Sequence, residues 1–254
     1  MQNNNIIQCQ QLIPDNMPFE YHGDALDLEI KPGEMISIIG PDYSGKSAWL
    51  KSICGLEDQL SGSVLINGLN TLNLSGAEWT ETRMKVAYVH TDTALLSAAN
   101  GLTNVMIPAL YHRLDDQQPD KKQKRTLLTE KALHLLEEID PHINLNDLPA
   151  YITKDHYFKI VIARALFLEP ELLVLHKPFR HFDNDSKRLF QQFLTDRINK
   201  GISVLLVTDD IPYALNNSDR IIFTEKENLY LFNSKEEALT CNIPSINKYI
   251  TLNS

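Results

Sequence analysis

An α/β fold with a mostly parallel sheet is predicted for this chain on three observations. Apolar runs of strand length recur along it: Met35-Ile36-Ser37-Ile38-Ile39, Leu172 to Leu175, Val204 to Val207 and Ile221 to Phe223. Helix-like segments at Ser186 to Asn199 and Pro212 to Asn216 separate the later runs, and such alternation implies parallel strands with helices on both faces. The third observation is Gly40-Pro41-Asp42-Tyr43-Ser44-Gly45-Lys46-Ser47, which joins the first run to a helix-like stretch, Ala48 to Cys54, closed by Gly55.

The spacing Gly-x4-Gly-Lys-Ser between a strand and a helix has the chemistry of a phosphate-binding loop. Glycines 40 and 45 let the backbone curl with its N–H groups inward, the helix N-terminus adds partial positive charge, and Lys46 adds a full one. Ser47 is the residue whose hydroxyl would face Mg²⁺. In a parallel sheet such a loop lies at the carboxyl ends of the strands, where ligands bind.

Before the loop, Ile6 to Leu12 reads as a strand, Pro14 to Pro18 as a turn, and Ala25 to Ile30 as a half-buried strand with Leu26, Leu28 and Ile30 alternating against acidic residues. Beyond it, Ser63 to Ile66 is a short strand ended by Asn67-Gly68. Ser75-Gly76-Ala77-Glu78 has capping-box spacing and starts a helix ending near Arg83, and Val86 to Val89 is a strand. From Thr91 helical periods dominate, clearest in Leu102 to Tyr111 and Lys121 to Glu138. Residues 91–170 are therefore expected as an inserted helical subdomain, with 1–90 and 171–254 forming the core of a single domain.

Composition bounds the function. With 254 residues, 43% of them hydrophobic, the chain is long enough for one large domain with a subdomain. A net charge of −9 argues against capture of nucleic acid, and the one dense basic run, Lys121-Lys122-Gln123-Lys124-Arg125, reads as a solvated helix face. Cys9, Cys54 and Cys241 make no metal-ligand spacing and suit a reducing compartment. No apolar run approaches the about eighteen residues that span a bilayer, and Met1-Gln2-Asn3-Asn4-Asn5 carries no export signal. A cytoplasmic protein is expected, with any membrane part supplied by a partner.

The loop is followed by Ile162-Ala163-Arg164-Ala165-Leu166 and then Leu168-Glu169-Pro170-Glu171-Leu172-Leu173-Val174-Leu175. That combination resembles the nucleotide-binding subunits of ABC transporters, over nearly the whole chain. Leu102-Thr103-Asn104-Val105-Met106-Ile107-Pro108-Ala109-Leu110 is similar to the segment after the glutamine loop in ATPases of lipoprotein-release and phospholipid-transport systems. The tail Asn242 to Ile250 is similar to the C-terminal stretch of the ATPase in MCE-type lipid-asymmetry transporters. The resemblance implies a P-loop NTPase of ABC type, with a RecA-like core, antiparallel N-terminal strands and the helical insertion. It further implies ATP as ligand through Gly40 to Ser47, Mg²⁺ at Ser47, assembly as a homodimer or with a second ABC ATPase, and a peripheral place at the inner membrane face through a permease.

Against that family, four positions depart from the hydrolytic pattern. The strand-end Asp-Glu pair aligns with His176-Lys177, the magnesium-contacting glutamine with Thr91, and the switch histidine with Asp209. The signature loop aligns with Ile152-Thr153-Lys154-Asp155-His156, so side chains replace two glycines. Asp183 matches the family's interface-loop aspartate. The adenine-stacking aromatic has no direct counterpart: Asp15 aligns there, and only a slip brings in Phe19 or Tyr21.

Phosphoryl transfer depends on a placed metal, an oriented water and cationic donors, so losing several of these should nearly stop it. A subunit that binds nucleotide with weakened Mg²⁺ and little or no hydrolysis is the favoured reading; an active ATPase using replacement residues and a regulator outside transport are the others. Lys177 and Asp209, with polarity opposite to the family's, are expected to pair. A rival has Lys177, with Lys154 from a facing copy, supplying charge in place of Mg²⁺. The apolar set Leu95, Leu96, Leu102, Val105, Met106, Ile107 and Leu110 is expected to meet a membrane partner.

Overall fold

The computed structural model describes residues 5–112 and 121–253, so Met1 to Asn4 of the N-terminal tract lie outside the described residues. In chain order the strands and helices begin with β1 (Ile7–Pro14), β2 (Leu26–Ile30), β3 (Met35–Ile39), α1 (Lys46–Ile53), β4 (Gln59–Ile66), β5 (Leu69–Asn70), α2 (Gly76–Met84) and β6 (Val86–His90). The helices α3 (Gly101–Tyr111), α4 (Lys121–Ile139) and α5 (Lys154–Leu166) follow. The chain closes with β7 (Leu172–His176), α6 (Asn184–Asn199), β8 (Ser203–Val207), α7 (Ile211–Asn217), β9 (Arg220–Glu225), β10 (Asn228–Phe232), α8 (Lys235–Thr240) and α9 (Pro244–Asn253).

Two compact units emerge. The first comprises residues 1–86, 171–177 and 197–254, and the second 87–170 and 178–196. The helical unit thus takes in residues 178–196 beyond the expected 91–170, and α6 belongs mostly to it rather than to the core.

The first unit holds a parallel run of strands in the order β9-β3-β8-β7, flanked by the antiparallel β10. Every residue of β3, β7 and β8 is buried, as expected of strands covered on both faces. Register then decides what meets at the carboxyl edge. Ile38 pairs with Val207, and Val207 with His176, so Gly40, Lys177 and Thr208-Asp209 leave three neighbouring strands side by side. A second sheet, β2-β1-β4-β5, is antiparallel, and β2 buries Leu26, Leu28 and Ile30 while Asp27 and Glu29 face out. The Ser75–Glu78 capping box is formed as its spacing predicts, and α2 runs one residue past Arg83.

Behind β9, the C-terminal helices bury Ile246 and Ile250 of α9 and Ala238 of α8 against Phe223, Phe232, Leu215 and Ile39. Tyr249 packs on that cluster and meets the Phe223 ring edge-on, with centroids 5.4 Å apart.

In the second unit, Asn100 caps α3 by accepting from Thr103 N–H at 2.9 Å. Asn104, fully buried, donates Nδ2 to the carbonyls of Leu96, Ala99 and Asn100 and accepts from Leu96 N–H at 2.7 Å, fastening the preceding turn to the helix. Lys159 of α5 is 1% exposed and lies 2.7 Å from both an Asp140 and an Asp155 oxygen, a charged group made tolerable inside by two partners. Burial opposes its charge, but its hydrogen bonds to Asp140 and Asp155 hold its pKa above the usual lysine value. No helix among the described residues is long and apolar enough to cross a membrane.

Candidate functional site

Gly40 leaves β3 with φ +144°, and a Cβ there would sit 2.1 Å from the Thr224 carbonyl oxygen, so only glycine lets the chain turn into the loop. Gly45, in the left-handed region at φ 87°, is the N-cap of α1 and offers no side-chain cap. The helix also has no acidic residue in its first turn, which leaves its N-terminal end electrostatically positive. Thr224 Oγ1 donates to the Ser44 carbonyl at 2.7 Å and Tyr249 Oη to the Gly40 carbonyl at 2.8 Å, so neighbours on β9 and α9 hold the loop's shape. Burial raises the Tyr249 pKa to about 12, with the Asp209 carboxylate adding to the shift.

Lys46 opens α1, two residues before the expected helix start, and is only 6% exposed. Its Nζ curls back to donate to the Gly40 and Pro41 carbonyls. Burial lowers its pKa; Asp209 opposes that shift and Lys177 reinforces it.

At the strand ends the four expected positions divide. His176 Nε2 is 2.8 Å from Ser47 Oγ, so the imidazole holds the hydroxyl that a divalent cation would need. Lys177 has φ 50°, an uncommon conformation for a side-chain-bearing residue, and its N–H donates to Val207 O at 2.8 Å. Its ammonium lies 2.6 Å from Asp209 Oδ2 and 3.5 Å from Asp42 Oδ1. Burial works against the Lys177 charge, yet the bonds to Asp209 and Asp42 hold its pKa above the ordinary value. Asp209 also approaches Lys46 Nζ at 4.0 Å. Thr91, the remaining position, is buried in the second unit.

A cavity of about 350 Å³ is walled by the loop from Asp42 to Ser47 and by His176 and Lys177. Pro18 lines it and also a larger cavity of about 980 Å³ that runs past Phe19 and Pro41 to Ser44. Of the two aromatic candidates, Tyr21 is buried, donates its hydroxyl to Asp24 O at 2.8 Å and packs edge-on against Trp49. Tyr21 is thereby spent in the core, whereas Phe19 lines the larger cavity, as does the exposed Tyr43 of the loop. Asp15 is exposed.

Sequence reasoning missed what holds the loop from outside it, Thr224 and Tyr249, because neither has a local signal. Within the second unit, the expected signature positions begin α5: Thr153 caps the helix, Lys154 is exposed, and Asp155 turns to Lys159. Asp183 accepts from Ser186 N–H at 2.8 Å, a helix-capping contact that keeps its carboxyl below the usual range.

Residues 24–180 match the family model described as ABC transporter. The lipoprotein-releasing system ATP-binding protein LolD of Buchnera aphidicola subsp. Schizaphis graminum is 30% identical over 92% of this chain and all of its own length. The glutamate/aspartate import ATP-binding protein GltL of Escherichia coli (strain K12) is 25% identical over 78% of each chain. Among solved structures, the dimeric ABC transporter cassette MJ0796 superposes with a TM-score of 0.74 at 26% identity, covering 88% of this chain and 97% of that one. Its dimeric post-hydrolysis form, with ADP and Pi bound, gives 0.72 at 25% identity over the same shares.

Proposed function

Because this chain belongs to the ABC transporter family, we propose that it is the ATP-binding subunit of such a transporter, docked on a membrane permease and hydrolysing ATP slowly or not at all. The phosphate loop supports binding: a glycine-shaped turn, an uncapped helix end and Lys46 converge on one cavity, and a relative of the same fold holds ADP and Pi. Phe19 is the surface on which a base would rest.

The observation that carries the hydrolytic reading is the Lys177–Asp209 contact. At the strand end, where the family resemblance puts the carboxylate that takes a proton from the attacking water, this chain has an ammonium, which can take none. The donor set also fits a divalent cation poorly. Mg²⁺ takes oxygen ligands, whereas the two strand-end positions carry an imidazole and an ammonium, and the Ser47 hydroxyl is engaged by the former.

Pairing with a second cassette, a copy or an intact relative, is proposed from the dimeric relative. Lipid-related cargo is proposed from Leu102 to Leu110 and Asn242 to Ile250 together with the lipoprotein-releasing relative; identity alone is a weaker guide, since an amino-acid importer's subunit is 25% identical. Steady-state phosphate release by the purified chain, alone and with its co-purified permease, tests the central claim. The expected rate is at least about a hundredfold below that of a hydrolysing cassette. Turnover near such a cassette's rate, abolished by Lys46→Ala, would instead establish an ATPase working through replacement residues.

A further inference from the structure

Two ammonium groups in the first unit reach one carboxylate. Lys177 Nζ is 2.6 Å from Asp209 Oδ2 and Lys46 Nζ is 4.0 Å from Oδ1 of the same side chain. Asp42, within the loop, is 3.5 Å from Lys177. The acids are 53% and 77% exposed and the lysines only 25% and 6%, so the cations are fixed by the fold while the carboxylates can turn to water. A carboxylate held between two such cations makes the contacts that an oxygen pair of a phosphate would make, and a more highly charged anion would displace it. The cavity over the loop opens onto Lys46 and Lys177 alike.

On the side where a metal would sit, the chemistry runs the other way. Ser47 Oγ is bonded to His176 Nε2, and a divalent cation placed there would have to break that bond and share its cavity with Lys177. Like charges brought into one partly buried cavity repel. Two ammonium groups together carry the two positive charges of the missing ion.

We infer that this chain takes a nucleoside polyphosphate without a divalent cation, Lys177 acting with Lys46 as the charge that neutralises the terminal phosphates and Asp209 as the placeholder that leaves when they arrive. The inference rests on the nucleotide-binding reading above and specifies the ionic form of the ligand. It gives the Lys177–Asp209 pair a second function: the contact that removes the water-activating group also keeps the cation oriented until an anion enters.

Calorimetric titration of the full chain with ATP, once in EDTA and once in excess MgCl₂, tests it. ATP is expected to bind in EDTA at least as tightly as in Mg²⁺. Lys177→Ala should raise the metal-free Kd by about tenfold or more, the loss of one charge-assisted contact. Asp209→Asn should move it the opposite way, tightening metal-free binding by about threefold, because a competing carboxylate is gone while the side chain's size is kept. Lys46→Ala should abolish binding under both conditions. Binding that requires Mg²⁺ overturns the inference and leaves the nucleotide reading standing, as does metal-free binding insensitive to Lys177→Ala and Asp209→Asn. Absence of binding in both conditions, by a chain that still melts cooperatively, overturns the nucleotide reading and this inference together.

Discussion

Lys177 Nζ and Asp209 Oδ2 stand 2.6 Å apart at the ends of adjacent parallel strands, where the family resemblance would place a carboxylate and an imidazole. On the proposed reading, the contact fills the corner where hydrolysis would occur with an ion pair of reversed polarity. Exchanging both residues, Lys177→Glu with Asp209→His, restores the family's charges there but leaves His176 on Ser47 and the altered Thr91 in place. The double variant should therefore remain below about 1% of a hydrolysing cassette's rate in a coupled ATPase assay, since catalytic groups that act as a unit are not recovered singly. Substantial turnover would place the whole defect in these two residues.

Lys159, 1% exposed, depends on two carboxylates to carry its charge inside. Replacing it with Met keeps its length but removes the ammonium between the Asp140 and Asp155 carboxylates, leaving His156, 3.9 Å from Asp140, as the nearby basic side chain. Loss of one partner from a buried ion pair costs about 3–5 kcal/mol, which should appear as a lower urea midpoint at unchanged slope. The triple change Lys159→Met, Asp140→Asn, Asp155→Asn should recover part of that loss; a single variant as stable as the parent would show the triad contributes nothing.

Lys159 and Asp140, with Glu171 and Lys177, should shape how stability depends on pH. Burial opposes the Asp140 charge, yet its bond to Lys159 leaves the carboxyl below the usual range, and bonds from Lys85 and Asn67 do the same for Glu171. A depressed folded pKa means stability that is complete above the unfolded values, about 4, and is lost as pH falls through the folded ones. Lys159 and Lys177 are shifted upward, so their contribution is complete below the unfolded value of about 10.4 and fades as pH rises through the folded one. Urea unfolding across pH should give a plateau between these limits, and Lys159→Met should flatten its acid limb.

Of the apolar set expected to meet a membrane partner, Leu95, Val105 and Met106 prove buried, while Leu96 and Leu110 are exposed, as is the adjoining Tyr111. Core packing explains the first three and not the others. Leu96→Glu with Leu110→Glu should alter stability by no more than about 0.5 kcal/mol, as surface changes do, and should abolish co-purification of a permease. Unfolding of the isolated chain by that pair would assign the face to ordinary packing.

Much of this was legible in the residues. β3, β7 and β8 announced themselves because strands buried on both faces are unbroken apolar runs, and the Ser75–Glu78 box because its two hydrogen bonds are local. α5 was not read from periodicity, since Lys159 puts a charge on its buried side. β10 was missed because of its five residues only Phe232 is fully buried, so the alternation that signals a strand is faint. The pairing of Lys177 with Asp209 followed from the charge reversal at two aligned positions. Capture of Ser47 by His176 did not, because a hydrogen bond between residues 129 apart leaves no trace in spacing. Nor could the sequence say that residues 178–196 pack with the helical unit, since they follow the core strand β7 directly in the chain.

The Gly40 carbonyl accepts from both Lys46 and Tyr249, so α9 and the lysine proposed to meet the nucleotide hold one atom in common. If an incoming anion draws Lys46 away, Tyr249 is left with a carbonyl it no longer shares, and on the proposed reading the tail would gauge loop occupancy. Linkage makes the gauge work in reverse: a protein that grips α9 and favours one state of that carbonyl must change anion affinity by the factor with which the anion changes its grip. On that reading, the state of the loop would be legible at α9, more than two hundred residues away in the chain.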